Sequence, residues 1–147
     1  MRTTLEQVAE FHKAFGHPIK ETPDLSDWVL NHLRCRLINE ESEELAASIG
    51  WQDKVGVLDA LLDLQYVLDG AFLALGFASV KDVAFAEVHR SNMSKLGTDG
   101  KPIYREDGKV IKGPNYSPPN LERFVQPNVA LTDSREDAGG AQTKLSK

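Results

Sequence analysis

Carboxylate side chains recur one helical turn apart in two stretches of the sequence. The first stretch continues the helical stripe of Leu30, Leu33 and Leu37, and its acids on or beside that stripe are Glu40, Glu41 and Glu44. The second is the pair Asp59 and Asp63, set in an otherwise apolar segment. Ionised carboxylates in apolar surroundings are unfavourable unless cations or water accompany them. Oxygen ligands suit Mg²⁺ or Mn²⁺ rather than zinc, so the pattern predicts a divalent-cation site.

An exposed acidic turn is the alternative interpretation of the run from Glu40 to Glu44. That interpretation does not account for Asp59 and Asp63, which interrupt a segment that would otherwise be core. The two aspartates therefore favour the cation site.

The acids and a later segment together resemble a known enzyme superfamily. Glu41-Ser42-Glu43-Glu44, Asp63 and the segment 87–95 (EVHRSNMSK) are similar to the all-α nucleoside triphosphate pyrophosphohydrolases. That superfamily includes MazG, the dimeric dUTPases and phosphoribosyl-ATP pyrophosphohydrolase. The resemblance spans roughly residues 5–124 and is greatest to small single-domain MazG-like members.

The resemblance implies a set of metal ligands. Glu41 and Glu44 match the first acidic pair of the superfamily and Asp63 matches the last acid, but the remaining glutamate falls at Ala60. Asp59, one residue earlier, is positioned to replace it. The implied ligands of Mg²⁺ or Mn²⁺ are thus Glu41, Glu44, Asp59 and Asp63. Glu40 would be a further ligand or the base for the attacking water, and Glu40, Glu41 and Lys95 are the implied catalytic residues.

The implied reaction is attack of water on the α-phosphorus of a nucleoside triphosphate, which gives a monophosphate and pyrophosphate. Divalent cations would activate the water and neutralise the phosphates. Two alternatives stay open. One is phosphoribosyl-ATP as the substrate, and the other is a non-catalytic helical assembly protein whose acids bind a structural cation or a basic partner.

Five residues are candidates for binding the substrate. Lys95 is the candidate phosphate contact, and Asn92 would hold sugar, phosphate or metal-bound water, or else bond to backbone. His89 lies one turn before Asn92, although a lone histidine is more often a packed one. Lys109 belongs to a basic loop whose charges alternatively serve solubility. Tyr66 follows the line of Asp59 and Asp63 and would stack on a base, unless it belongs to the core.

Four helical segments are predicted to carry these side chains, and the predicted fold is an all-α, four-helix MazG-like bundle. The first helix is capped by Thr3 with Glu6 or by Thr4 with Gln7, and it stops at Gly16. The second follows Asp24 and continues to about residue 49. The third covers about residues 53–75 and is apolar on all sides, which predicts a buried central helix. The fourth is capped by Ser79 and ends near residues 95–97.

The chain beyond the fourth helix is predicted to be irregular. Residues 100–111 read as a short hairpin around a Glu106-Asp107-Gly108 turn. The enzyme domain is predicted to cover residues 1–126, and the polar residues 127–147 to form a mobile tail.

Composition limits the remaining choices. The 147 residues are 41% hydrophobic with a net charge of −5, and no apolar run approaches the length of a membrane span. We expect no membrane and no nucleic-acid partner. The single Cys35 and the absence of an apolar leader in the sequence predict a cytoplasmic protein. Helix two carries a second apolar face, Ile38, Leu45 and Ile49, which predicts a homodimer or a tetramer built from dimers.

Overall fold

The computed structural model describes residues 1–125, and the predicted tail at 127–147 lies outside the described residues. The four helices are α1 (Thr4–Phe15), α2 (Trp28–Gly50), α3 (Lys54–Ala74) and α4 (Lys81–Met93). Short 3₁₀ turns occupy Ala78–Val80 and Glu122–Phe124. The predicted all-α fold with four helices is confirmed. None of these helices, in the part of the chain that is described, is long and apolar enough to cross a bilayer.

Side-chain caps fix where the first three helices begin. At α1 the structure selects one of the two predicted capping boxes: Thr3 Oγ1 accepts from the Glu6 N–H, and the Glu6 carboxylate accepts from the Thr3 N–H at 2.7 Å. The Asp27 carboxylate caps α2 by accepting from the Leu30 N–H, and the Asp53 carboxylate caps α3 by accepting from the Val55 N–H. Helix α2 consequently begins at Trp28, a few residues later than expected.

The predicted boundaries of α4 are wrong at both ends. Ser79 lies inside the preceding 3₁₀ turn, so α4 begins at Lys81 without a side-chain cap. The helix ends at Met93, and Ser94 Oγ donates to the Ser91 carbonyl at 2.7 Å. A serine bonded back to the preceding turn competes with continued helix, which accounts for the earlier stop.

Helices α2 and α3 form an antiparallel pair with a defined register. A β-carbon built on Gly56 would lie 2.8 Å from Ser48 Oγ, and one on Gly70 would lie 3.2 Å from Arg34 Nη1. The register between these two contacts places Glu41 opposite Asp63. Helix α1 packs on the same pair, with Phe11 edge-on to Tyr66 at 5.6 Å between ring centroids.

The core lies at one end of this three-helix layer. It includes Val8 and His12 of α1, Leu30 and Arg34 of α2, and the last turns of α3. The expectation that α3 is buried on all sides is wrong for its first half in the single chain, where Leu58 and Leu62 are 59% and 60% exposed. The reason is that α1 covers only the last turns of α3, so the first half of α3 stays exposed.

Ion pairs attach α4 and the C-terminal loop to the bundle. The buried Asp69 of α3 accepts from Lys81 of α4 and from Gln65 at 3.0 Å. Residues 100–111 form a loop with one antiparallel bridge, Tyr104 to Val110, and within residues 1–125 no strand is formed. The predicted hairpin is present in minimal form, because the Ile111 N–H donates to the Ile103 carbonyl at 2.9 Å and the Arg105 N–H donates to the Lys109 carbonyl at 2.8 Å. An exposed two-stranded segment gains little from further pairing, so the bridge does not lengthen into strands.

Candidate active site

The five predicted acids of α2 and α3 converge around one carboxylate. Glu41 is half-buried, whereas the other four are exposed at the surface. Burial, and then the negative charges of Glu44, Asp63, Glu40 and Asp59, raise the pKa of the Glu41 carboxyl above its ordinary value. We call these five residues the acidic cluster. Their mutual repulsion makes this middle part of the α2–α3 pair a place where positive charge is favoured.

The donor set of the acidic cluster fits a hard divalent cation. All its ligand atoms are carboxylate oxygens, and the crowding felt at Glu41 is of the kind that a cation relieves. Within residues 1–125, no three His, Cys, Asp or Glu side chains already form a metal-binding group. The cluster therefore offers the right ligand chemistry, and its side chains would have to rotate inward to enclose an ion.

Asp59 and Ala60 lie at the level of α3 where the resemblance implies one glutamate. Ala60 is 3% exposed and faces α2 opposite Glu44 in the helix register. Asp59 is exposed, and its charge acts on Glu41. Position 60 thus contributes only helix packing, and the carboxylate at this level of α3 comes from the neighbouring residue.

Glu40 lies on the outer side of the acidic cluster. Its carboxylate forms an exposed ion pair with Arg36, with 3.4 Å between Oε1 and Nε. An exposed i,i+4 pair of this kind contributes little, so it does not hold Glu40 to Arg36.

The candidates on α4 and the following loop form a separate group. Lys95 Nζ donates to Asn92 Oδ1 at 2.7 Å, so these two side chains act as a pair. His89 is exposed on the same helix, and Lys109 is exposed in the loop, where its N–H donates to Asp107 Oδ1 at 3.2 Å. In the described part of the chain, no hydrogen bond or ion pair joins these four residues to the acidic cluster. Their substrate-binding roles stay predictions.

Tyr66 borders a pocket that begins one turn from the acidic cluster. The pocket has a volume of about 360 Å³, and its lining includes Phe11, His12, Arg34, Leu37, Tyr66 and Val67. Leu37 precedes Glu41 by one turn of α2, and Tyr66 follows Asp63 by one turn of α3. We call it the aromatic pocket. None of the five acids lines this pocket, which lies one helical turn from the acidic cluster along the α2–α3 pair.

Two residues of the aromatic pocket were not assigned a role by the sequence analysis. Arg34 is 5% exposed, and the buried His12 binds the Pro18 carbonyl through Nδ1 at 2.9 Å. Burial and the nearby Arg34 charge lower the pKa of His12. A signal for Arg34 was present, because it falls on the helical line between Leu30 and Leu37, where a charge is unexpected.

Comparison with known families places most of this site in one domain. The family described as phosphoribosyl-ATP pyrophosphohydrolase matches residues 8–92, more than half of the chain. The matched region contains the acidic cluster, the residues that line the aromatic pocket, His89 and Asn92, and it stops before Lys95 and Lys109. No curated protein matches the chain.

Proposed function

The chain belongs to the phosphoribosyl-ATP pyrophosphohydrolase family, and from this premise we propose that it hydrolyses a nucleoside triphosphate between the α- and β-phosphates. Family membership makes it a pyrophosphohydrolase that acts on a nucleotide. The triphosphate and the dependence on Mg²⁺ or Mn²⁺ are our proposal. The observation that carries this proposal is that the charges of four other carboxylates of the acidic cluster act on the half-buried Glu41.

Glu41, Glu44 and Asp63 would hold the cation, with Asp59 as a fourth ligand. A divalent cation bound there supplies neutralisation of the phosphate oxygens and a lowered pKa for bound water. Without such a cation, these carboxylates would repel a triphosphate.

The side chains around the acidic cluster supply the remaining steps. Water attacks the α-phosphorus while Glu40 accepts its proton, and the bond from the α-phosphorus to the bridging oxygen breaks as pyrophosphate leaves. Lys95, oriented by Asn92, contacts the departing phosphates. His89 and Lys109 add contacts to the phosphates or sugar, and Tyr66 lies against the base.

Phosphoribosyl-ATP is the second candidate substrate, and the family match is the observation that favours it. It presents the same phosphate chain to the same acids. Product analysis with phosphoribosyl-ATP against a panel of triphosphates separates the two candidates.

The test is release of pyrophosphate from dUTP, dCTP, dTTP, dATP, dGTP and phosphoribosyl-ATP with Mg²⁺, with Mn²⁺ and with a chelator. We expect cation-dependent release, abolished in Glu44→Gln with the helical circular dichroism retained. Glu43→Gln is the matched control, because Glu43 is exposed on the same helix and does not belong to the acidic cluster. Cation binding without turnover of any nucleotide would contradict the proposal and favour the assembly-protein alternative.

We also propose that the protein acts as a homodimer or as a tetramer of two dimers. Val55, Leu58 and Leu62 form an exposed apolar stripe on α3, beside the Asp59 and Asp63 carboxylates. Covering this stripe with a second copy would place the acidic cluster beside the subunit interface.

A further inference from the structure

The acidic cluster is open to solvent in a single chain. In the first half of α3, Ala60 faces α2 and is covered. The other sides of this half are exposed, at Leu58 and Leu62 as well as at Asp59 and Asp63. Apart from α2, therefore, no element within residues 1–125 lies over the carboxylates of α3. A triphosphate bound there would find no positive side chain around its outer phosphates.

Helix α4 stands apart from the three-helix layer. Helices α1 and α2 each pack along α3, whereas α4, among the helices and 3₁₀ turns of the described chain, packs closely only against the turn that precedes it. Its first residue, Lys81, is held at the buried Asp69. Asn92 follows Lys81 by eleven residues, which is about 16 Å along a helix axis. Because α4 does not run back along α3, this length carries Asn92 and Lys95 away from the acidic cluster of their own chain.

One face of α4 is covered by the C-terminal loop of the same chain. Glu87 and Ser91 are buried, and the Asn120 N–H donates to the Glu87 carboxylate at 2.9 Å. One turn after Ser91, the Ser117 N–H donates to Ser94 Oγ at 2.9 Å. These polar contacts lie within one chain, so this face of α4 needs no further partner.

The opposite face of α4 is uncovered and carries two of the candidate substrate-binding residues. Phe85, His89 and Asn92 are spaced by four and then three residues, so they form one stripe, and Met93 borders it. Phe85 is 71% exposed and Met93 is 51% exposed. Large apolar side chains beside His89 and Asn92 indicate that another surface covers this face. We call it the open face of α4.

The open face of α4 is complementary to the exposed surface of α3. Val55, Leu58 and Leu62, which we call the α3 stripe, are also apolar and exposed, and the carboxylates of α3 lie beside them. Lys95 follows the open face and supplies a positive charge. Pairing the two surfaces would bury apolar side chains of both and bring a cation to the carboxylates. One chain holds these surfaces apart, whereas two copies can each place α4 on the α3 of the other.

We propose that the open face of α4 in one protomer lies on the α3 stripe of a second copy, so that Asn92 and Lys95 contact phosphates held at the acidic cluster of that copy. An isologous dimer uses the same surfaces twice, so each dimer contains two shared sites. In each site, one chain supplies the cation ligands and the other supplies the positive charge for the departing pyrophosphate. This inference rests on the proposed function, because it places the phosphates at the acidic cluster.

The test uses mixed dimers of a Glu44→Gln chain and a Lys95→Ala chain, co-expressed with two different affinity tags. Each variant alone should release little pyrophosphate. If the sites are shared, one site of the mixed dimer carries both substitutions and the other carries neither, so we expect about half of the wild-type rate per dimer. If each chain completes its own site, both sites carry one substitution and the rate stays at the level of the single variants, which would overturn the proposal.

Mixed dimers of Glu44→Gln and Glu41→Gln chains are the matched control. Both substitutions fall in the acidic cluster, so each site keeps one defect whether or not it is shared. These dimers should stay as inactive as the two single variants. A gain in rate here would mean that the activity of mixed dimers does not report on shared sites.

Molecular mass in light scattering gives a second readout that needs no turnover. We expect the wild-type protein to be at least a dimer and Phe85→Glu, with its helical circular dichroism retained, to shift towards a single chain, because the new carboxylate would face the apolar α3 stripe. Phe15→Glu is the control, since Phe15 is 68% exposed on α1, and it should keep the wild-type mass. A monomeric wild-type protein, or an unchanged mass in Phe85→Glu, would overturn the proposed contact.

The two readouts also separate this inference from the proposed function. If Phe85→Glu dissociates the dimer but the wild-type protein releases pyrophosphate from no nucleotide, the proposed function fails while the contact between the copies stands. If the wild-type protein hydrolyses a triphosphate but the mixed dimers of Glu44→Gln and Lys95→Ala gain no activity, the proposed function stands and the sharing of sites fails.

Discussion

Glu41 is the residue at which function and stability oppose each other. Its carboxyl is half-buried among four other acids, and its pKa is raised by burial and by their charges. Groups that attract a cation in this way repel one another when the cation is absent. The acidic cluster is therefore expected to weaken the fold that carries it.

Replacing Glu41 with glutamine should separate these two effects. In the presence of a chelator we expect Glu41→Gln to raise the free energy of unfolding by about 0.5 kcal/mol, because one like-charge contact is removed. The same variant should lose pyrophosphate release by more than about 100-fold, since a lost ligand removes stabilisation of the transition state. Urea denaturation and a pyrophosphate assay measure the two quantities. A variant that is both less stable and fully active would contradict the placement of Glu41 in the acidic cluster.

Gly70 is the residue that lets Arg34 and His12 lie against α3. A β-carbon there would be 3.1 Å from His12 Nε2 and 3.2 Å from Arg34 Nη1, and both side chains are buried. We expect Gly70→Ala to destabilise the protein by about 1 kcal/mol, because the steric conflict outweighs the helix propensity gained.

Gly50→Ala is the matched control for that substitution. Gly50 is also helical, and its β-carbon would meet nothing within 4 Å, so the change should stabilise by a few tenths of a kcal/mol up to about 1 kcal/mol. Thermal unfolding of the two variants gives the comparison. Equal stabilisation by both would contradict the close approach at Gly70.

Among the elements, α4 depends on polar contacts more than on apolar packing. Glu87 is 8% exposed on α4 and accepts hydrogen bonds from Arg90 and from the Asn120 N–H, the latter at 2.9 Å. It also forms an ion pair with Arg123, with 3.5 Å between Oε2 and Nη2. The hydrogen bonds from Arg90 and Asn120 lower its pKa from 4.5 to about 2. Glu87 thus connects α4 to the C-terminal loop.

The depressed pKa of Glu87 predicts a dependence of α4 on pH. Its stabilising effect is fully present above pH 4.5 and is lost as the pH falls through about 2, because the unfolded carboxyl binds its proton first. We expect Glu87→Gln to be less stable than wild type at pH 7 and to show a shallower loss of stability between these two values. Glu122→Gln, at an exposed acid of the same loop, should follow the wild-type acid profile. An unchanged profile in Glu87→Gln would contradict the role given to this contact.

The helices themselves could be predicted from sequence more fully than the contacts between them. Thr3 and the apolar residues are local signals, and the presence of helices α1 to α3 follows from them, although the pattern places the start of α2 near Asp24 rather than after its cap, Asp27. The start of α4 could not be predicted in this way, because Ser79 resembles a helix cap but lies within a 3₁₀ turn. The spacing of the acids along the sequence predicts that they share a helix face. The close approach of Arg34 to Gly70 depends instead on the register of α2 against α3, which a single sequence does not contain.

For the molecule as a whole, the described chain leaves several large apolar side chains uncovered. Leu58 and Leu62 of α3 are more than half exposed, and Trp28, Ile49 and Trp51 are exposed at the two ends of α2. Surface of this kind, when it forms a continuous patch, is typical of a subunit interface. Because Leu58 and Leu62 alternate along α3 with Asp59 and Asp63, an interface here would form one wall of the active site.

Introducing a charge into that stripe should therefore affect assembly and activity together. We expect the wild-type protein to have at least twice the mass of one chain in light scattering, and Leu62→Glu to shift towards a single chain, because the new carboxylate would be buried unpaired in the interface. Pyrophosphate release should fall in proportion to the dimer lost and should recover in part at higher protein concentration, by mass action. Leu25→Glu, at an exposed apolar residue before α2, should change neither quantity. A monomeric Leu62→Glu with full activity would show that each chain completes its own site, so that the α3 stripe serves assembly alone.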